Sequence, residues 1–126
     1  MDFNTIVENL DWNKSEEIQQ QGIEAAKKIV ILTPFFQPVD SKYNKNIWEN
    51  CAKIIASKSD DELIAYLGKM FEWIQDINWP GAKIIMKRIE NIKEKRIVKY
   101  YLENTMIIAK AVKDDTWLEN LKNIKL

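Results

Sequence analysis

The chain has 126 residues with 19 basic and 19 acidic side chains, so its formal net charge is zero, and it contains no histidine. Because histidine is the usual acid–base group at neutral pH and a common metal ligand, its absence excludes Ser–His and Cys–His nucleophile pairs and histidine metal sites. The one cysteine, Cys51, excludes an internal disulfide and a thiolate zinc cluster.

Composition favours one all-α domain that spans residues 1–126. Only three glycines and three prolines occur, and the dipeptides that form β-hairpin turns are missing, which favours helices over a β-sandwich or barrel. No apolar stretch approaches the ~20 residues of a membrane helix, and the first residues have no signal-peptide pattern. Together with the free thiol, this leads us to expect a cytoplasmic protein without membrane contact.

The chain begins with two amphipathic helices. Residues 2–10 have apolar side chains at helical spacing. A second helix is predicted from a cap at Asn13 to about Ile29, with Trp12 as an anchor before it. Gly22 weakens the middle of that helix, so we expect a kink or a close crossing there.

Residues 30–44 form the longest irregular stretch, since the prolines at positions 34 and 38 forbid a continuous helix. We interpret this segment as an extended connector. Phe35 and Phe36 stand between the two prolines. Either they plug the end of the helical stack, or they form a tip that binds a partner, because long loops are often functional.

Two helices, over about 46–57 and 60–75, are predicted next. The first has a continuous apolar stripe that includes Cys51, so we interpret this thiol as a small buried hydrophobe. Ser59 and Glu62, three residues apart, predict a capping box at the start of the second helix. Since a short turn joins them, we expect the two helices to form an antiparallel hairpin.

The chain turns sharply where residues 72–82 read E-W-I-Q-D-I-N-W-P-G-A. Pro80 suits the first turn of a helix and pushes the residue before it out of the α region, so one helix ends and another begins here. Asp76 and Asn78 can each accept hydrogen bonds from the first amides of the new helix. Gly81 leaves room for a close approach of helices, and the flanking tryptophans either pack on the turn or form an exposed ligand platform. This structural corner consists of Trp73, Asp76, Asn78, Trp79, Pro80 and Gly81.

Three more helices are predicted, over about 80–92, over about 95–113, and a short last one that starts at a capping box of Thr116 and Glu119. The first two form a second hairpin, and two hairpins of about 30 residues in tandem resemble a small helical repeat array. The apolar face predicted for the helix over 95–113 consists of Ile97, Val98, Tyr101, Leu102, Ile108, Ala109 and Val112.

Three stretches carry a resemblance to one small bacterial family. They are W-E-N-C-A-K-I-I at residues 48–55, W-I-Q-D-I-N-W-P-G-A at residues 73–82, and the spacing of Asp114, Asp115, Trp117 and Leu118. Over most of its length the chain is similar to the domain-of-unknown-function family 5071, whose members are short and helical. The resemblance implies antiparallel helical hairpins stacked in a HEAT-like, right-handed α–α array, here of about six helices. It implies no activity, because the family has no established catalytic residues.

Charge is unevenly spread along the chain. Residues 1–76 have 8 basic and 13 acidic side chains, whereas residues 83–99 have 7 basic and 2 acidic ones. In a hairpin, the basic flanks of two helices could meet as one patch. Such a patch is either solvated surface, a site for a protein partner or self-association, or a nucleic-acid site. The nucleic-acid site is disfavoured because proteins that bind nucleic acids usually have a pI above about 9. The basic patch consists of Lys83, Lys87, Arg88, Lys95, Arg96 and Lys99.

Glu72 and Asp76 form a carboxylate pair at i, i+4 beside the corner. Paired carboxylates can hold a hard cation or serve as acid and base, but a di-metal site needs a second pair. We interpret this pair as surface charge and a helix cap. No catalytic, metal or cofactor residue is therefore predicted.

We consider three functions. The first is a non-enzymatic helical interaction module that binds another protein, as an adaptor, inhibitor or immunity-like protein, through its acidic N-terminal half. Phe35, Phe36 and the basic patch are further possible partner surfaces. The second is a nucleic-acid-binding helical repeat that uses residues 83–99. The third, an enzyme with carboxylates and a metal, ranks last, and the sequence assigns neither a partner nor an oligomeric state.

Overall fold

The structure, a computed structural model, describes residues 1–38 and 43–126. The described residues form eight α-helices and two short 3-10 helices, Thr33–Phe35 and Lys45–Ile47, and contain no strand. The all-α class is therefore confirmed, although the helices outnumber the predicted six. They are α1 (Phe3–Asn9), α2 (Glu16–Ala26), α3 (Trp48–Ala56), α4 (Asp60–Ile64), α5 (Leu67–Trp73), α6 (Ala82–Glu90), α7 (Lys95–Ala111) and α8 (Asp115–Lys122).

The single helix predicted over 60–75 is two helices, α4 and α5, which meet at Tyr66. The backbone of Tyr66 leaves the helical region, with φ −109° and ψ 7°, and its amide donates to Leu63 O at 2.8 Å in a tightened turn. The Tyr66 hydroxyl accepts from the amide of Leu32 at 3.4 Å, and its ring stacks on Phe36 with centroids 5.3 Å apart. The break in the helix thus lets Tyr66 contact the segment before α3.

Helix starts at α2 and α4 are set by serine caps. The capping box predicted at α4 is confirmed, because the amide of Glu62 donates to Ser59 Oγ at 3.3 Å and the amide of Ser59 donates to Glu62 Oε1 at 3.2 Å. The cap predicted at Asn13 is wrong. Ser15 caps α2 instead, accepting from the amide of the third helical residue at 3.2 Å.

Lys113 connects the C-terminal turn of α7 to Asp114, the residue that caps α8. Lys113 has a left-handed backbone, with φ 59°, and the amide of Asp114 returns to Ala109 O at 2.9 Å, as at many helix C-termini. The carboxylate of Asp114 then accepts from the amide of Trp117 at 3.0 Å. The capping box predicted at Thr116 is therefore wrong, since that residue lies inside α8.

Helix α5 is central to the core. Leu67, Met70, Phe71 and Trp73 are all fully buried, which means that α5 is covered on more than one side. It packs against α6 and α7. From α8, Trp117 Nε1 donates to Phe71 O at 3.0 Å, so the last helix is also fixed to α5.

The main packing pairs differ from the predicted hairpins. Helix α1 packs on α2, α7 on α8, and α3 on α6, a helix distant from it in the chain. The predicted close crossing at Gly22 is confirmed, because a Cβ there would lie 2.9 Å from Asn9 Cβ of α1. Trp12, predicted as an anchor, is instead 44% exposed.

The predicted connector is only partly described. Its residues 39–42 lie outside the described residues, and the part before them contains the 3-10 helix Thr33–Phe35. Among the helices of residues 1–38 and 43–126, none is both long enough and apolar enough to span a membrane.

Candidate functional site

The chain passes from α5 to α6 through two successive turns. The amide of Trp79 donates to Asp76 O at 3.0 Å, and the amide of Ala82 donates to Trp79 O at 3.1 Å. Because α6 begins at Ala82, the predicted place of Pro80 in its first turn is wrong. Neither Asp76 nor Asn78 caps α6; Asp76 Oδ1 instead accepts from the amide of Asn78 at 2.8 Å and shapes the first of the two turns.

Gly81 precedes α6 and lies at a close approach to α3. Its φ of 84° lies in the left-handed region that glycine adopts readily. A Cβ at this position would stand 2.6 Å from Ala52 Cβ and 3.1 Å from Trp48 O. The predicted close approach of helices is therefore confirmed.

Three tryptophans pack around the corner. Trp73 is fully buried, and its Nε1 donates to Pro80 O at 3.0 Å. The ring of Trp48 meets the rings of Trp73 and Trp79 edge-on, with centroids 6.3 and 5.7 Å apart. Because Trp73 is buried and Trp79 is half-buried, the alternative of an exposed two-tryptophan platform is wrong. In the described part of the chain, Trp48 Nε1 is a buried donor without a hydrogen-bond partner.

An open cleft of about 220 Å³ lies beside the corner, with Glu49 and Lys83 among its lining residues. It offers one carboxylate and one ammonium group. The neighbouring pair Glu72 and Asp76 is not extended by a third ligand, since no three acidic or cysteine side chains among residues 1–38 and 43–126 are grouped to hold a metal ion. Neither feature assembles a catalytic constellation.

Cys51 lies in α3 with its side chain fully buried. Burial raises the pKa of its thiol to about 12, because a thiolate is poorly solvated in an apolar interior. The interpretation of Cys51 as a small buried hydrophobe is confirmed.

Phe35 and Phe36 belong to the core. Their exposed fractions are 1% and 6%, so an exposed binding tip is wrong and they are not a partner surface. Phe36 stacks on Tyr66 and meets the edge of Trp73 at 6.3 Å. Phe35 packs against Phe3 of α1, with centroids 6.2 Å apart. The two rings thus join the first helix to the central one.

Arg88, predicted in the basic patch, is held within the fold. Its Nε donates to Ala56 O at 3.1 Å, and its Nη2 donates to Lys58 O at 2.9 Å and to Asp60 Oδ1 at 2.6 Å. A cation at this position satisfies free carbonyls at the end of α3. Asp60 Oδ2 also accepts from the amide of Lys93 at 3.0 Å. The hydrogen bond from the Lys93 amide is the largest cause that holds the pKa of Asp60 below its usual range, and the hydrogen bond from Arg88 is the next.

The meeting of the remaining basic residues in one patch stays a prediction. Helices α6 and α7 each pack on α5 and are not among the main packing pairs. Lys95 Nζ donates to Glu90 O at the end of α6. The exposed members of the basic patch are Lys83, Lys87, Arg96 and Lys99.

Helix α7 has two apolar faces. Val98, Thr105 and Ala109 are buried on the face toward the protein, where α7 packs on α5 and α8. The second face points to solvent, and its side chains are between 38% and 66% exposed. We call this set the outer face of α7, and it consists of Tyr100, Tyr101, Ile107, Ile108 and Val112.

The sequence prediction misplaces the outer face. It assigns Tyr101, Ile108 and Val112 to the core face and leaves out Tyr100 and Ile107. The signal for a second face is present, because a Tyr–Tyr pair and an Ile–Ile pair recur after seven residues, the spacing of an apolar helix seam. Periodicity alone does not say which of two apolar faces the rest of the protein covers.

These features define a small all-α protein with a central buried helix and one exposed apolar helix face. The chain belongs to the family described as Domain of unknown function (DUF5071), whose model matches residues 42–124. The family predicted from the tryptophan-rich stretches is thereby confirmed, and the corner and α7 lie within the matched residues. Neither the curated proteins nor the solved structures contain a match to this chain.

Proposed function

We propose that this protein is a non-enzymatic helical module that binds another protein chain, with the outer face of α7 as its contact surface. The observation that carries the proposal is the exposure of five apolar side chains along one side of α7, around the exposed polar residue Asn104. An exposed apolar patch with polar residues beside it typically marks a contact site. The proposal moves the contact surface from the acidic N-terminal half to α7. It keeps the predicted bacterial source and cytoplasmic location, but not the predicted stack of HEAT-like hairpins, because the main packing pairs differ from those hairpins.

The roles of the reactive side chains favour binding over catalysis. The thiol of Cys51 is buried and has a raised pKa, so it is a poor nucleophile. Asp60 is bound to Arg88, and Glu62 is bound to the cap of its own helix. Asp76 shapes a turn. Each of these groups has a structural partner that accounts for its position.

Capture of partners with matched variants tests the proposal. A tagged protein is co-expressed with an untagged copy, so that self-association is also detected. Ile107→Ser with Ile108→Ser removes the middle of the outer face, whereas Val30→Ser with Ile31→Ser removes an apolar pair that is 79% and 67% exposed elsewhere. We expect a stoichiometric partner on the wild type and the control, and its loss from the α7 variant.

All four substituted side chains are exposed, so we expect both variants to keep the helical circular dichroism of the wild type. If the α7 variant retains the partner, or if no protein binds in stoichiometric amount, the proposed contact surface is wrong.

The nucleic-acid alternative has a smaller surface than the six predicted cations suggest. Arg88 and Lys95 are bound to backbone carbonyls of the fold. The suitable variant is Lys83→Glu with Lys87→Glu, because both lysines are exposed. Binding to DNA or RNA that falls steeply with salt and drops in this variant supports the alternative.

A further inference from the structure

The outer face of α7 is large enough to pair with a second copy of itself. With exposures of 38–66% and whole areas of about 150–250 Å² for aromatic side chains, its five residues expose roughly 500 Å². Two such faces present about 1,000 Å² together, which reaches the lower limit for a specific protein interface when the contact covers them fully.

A charged flank borders the outer face along one side of α7. Arg96, Lys99, Glu103 and Lys110 follow at intervals of three, four and seven residues, so they lie on the same side of the helix. Glu103 and Lys110 are two helical turns apart. This flank therefore has a carboxylate, on Glu103, and an ammonium group, on Lys110, at two different positions along the helix axis beside the apolar residues.

We propose that the protein forms a symmetric dimer in which the outer faces of two α7 helices pack antiparallel. With the two-fold axis midway between Glu103 and Lys110, residues at equal distances on either side of it face each other. Glu103 of each copy then meets Lys110 of the other copy, and Tyr101 meets Val112. In a parallel pair the two-fold axis runs along the helices and places the two charged flanks on opposite sides of the contact, so Glu103 and Lys110 do not meet across it. Only the antiparallel pair brings these opposite charges together.

This inference rests on the proposed role of α7 as the contact surface, and it names the partner as a second copy of the chain. Sedimentation equilibrium over a concentration series measures it. The wild type is expected at twice the mass of one chain. Ile107→Ser with Ile108→Ser weakens the dimer at least about tenfold. The control, Val30→Ser with Ile31→Ser, remains a dimer with the affinity of the wild type.

Charge exchange tests the antiparallel register. Glu103→Lys or Lys110→Glu alone replaces two attractive pairs in the dimer by two repulsive ones, and each weakens association by about tenfold. The double variant that contains both changes restores opposite charges across the two-fold axis. Its affinity is expected within about threefold of the wild type at low salt.

The outcomes separate this inference from the proposed function. A wild type that remains a single chain at every concentration overturns the dimer, and loss of a different bound protein from the Ile107 and Ile108 variant then leaves the proposed function intact. A dimer that survives that variant forms through another surface and overturns the dimer model; the proposed contact surface is wrong as well if the variant also retains a different bound protein. A dimer that the isoleucine changes disrupt, but that the charge exchange does not affect, overturns the antiparallel register.

Discussion

Replacing Gly81 with alanine adds one methyl group where the start of α6 approaches α3 closely. The new Cβ would stand 2.6 Å from Ala52 Cβ and 3.1 Å from Trp48 O. Favourable contacts between carbon atoms begin near about 3.5 Å, so the two helices must move apart. The residue would also keep a φ of 84°, which is unfavourable for any side chain with a Cβ.

The size of the loss can be worked from these two effects. A left-handed backbone costs about 1–2 kcal/mol for a residue other than glycine. Overpacking of a close contact costs about 1–3 kcal/mol. Alanine also lowers the conformational entropy of the unfolded chain, which offsets about 0.4–1 kcal/mol of this loss of stability. The free energy of unfolding should therefore fall by roughly 1–4.5 kcal/mol, a large part of the 5–15 kcal/mol typical of a domain.

Urea unfolding followed by circular dichroism measures this change, with Gly68→Ala as the matched control. No atom lies within 4 Å of a Cβ built on Gly68, which is inside α5, so alanine should raise the free energy of unfolding by about 0.5–1 kcal/mol. Ala52→Gly should recover part of the loss in Gly81→Ala, because it removes the nearest atom. A loss below about 1 kcal/mol for Gly81→Ala, or equal effects at both glycines, would refute the reasoning.

Three further predictions concern buried and charged groups. Trp73→Phe should lower the free energy of unfolding by about 1–3 kcal/mol more than Trp48→Phe does, since only Trp73 loses a hydrogen bond; equal losses in urea unfolding would contradict this. The pKa of Asp60 is lowered in the fold, so its contribution is present above the ordinary carboxyl pKa of about 3.9 and is lost as pH falls through the folded value. At low pH, the melting temperature of Asp60→Asn should change less with pH than that of the wild type. Parallel plots of melting temperature against pH for the two proteins would contradict this. Cys51, whose pKa burial raises to about 12, should react with a thiol reagent only on unfolding, and rapid labelling of the native protein would show an open core.

Features that depend on near neighbours in the chain can be predicted from the sequence. The burial of Cys51 follows from its place in a continuous apolar stripe. The box of Ser59 and Glu62 follows from a three-residue spacing. Gly81 beside a proline predicts a close approach. In each case the cause lies within about two helical turns, so local geometry decides the outcome.

Features that depend on distant partners are the ones that sequence reasoning misses. The break at Tyr66 accompanies contacts with Leu32 and Phe36, about thirty residues earlier. The choice between the two apolar faces of α7 depends on where α5 and α8 lie, and both choices satisfy the same periodicity. The sequence therefore shows that α7 has more apolar residues than one buried face needs, but it does not show which of them are exposed.

Two of the seven basic residues over 83–99 have a structural role that bears on every test of binding. Arg88 donates to carbonyls at the end of α3, and Lys95 donates to Glu90 O at the end of α6. Lys58 does the same after α2, with its Nζ 2.7 Å from the carbonyl oxygen of Lys27. Cations are favourable at these helix ends because the helix dipole is negative there. Charge reversal at Arg88 should therefore destabilise the contact of α6 with the turn between α3 and α4 and imitate a loss of binding. Changes at the exposed basic residues are the ones that separate recognition from stability.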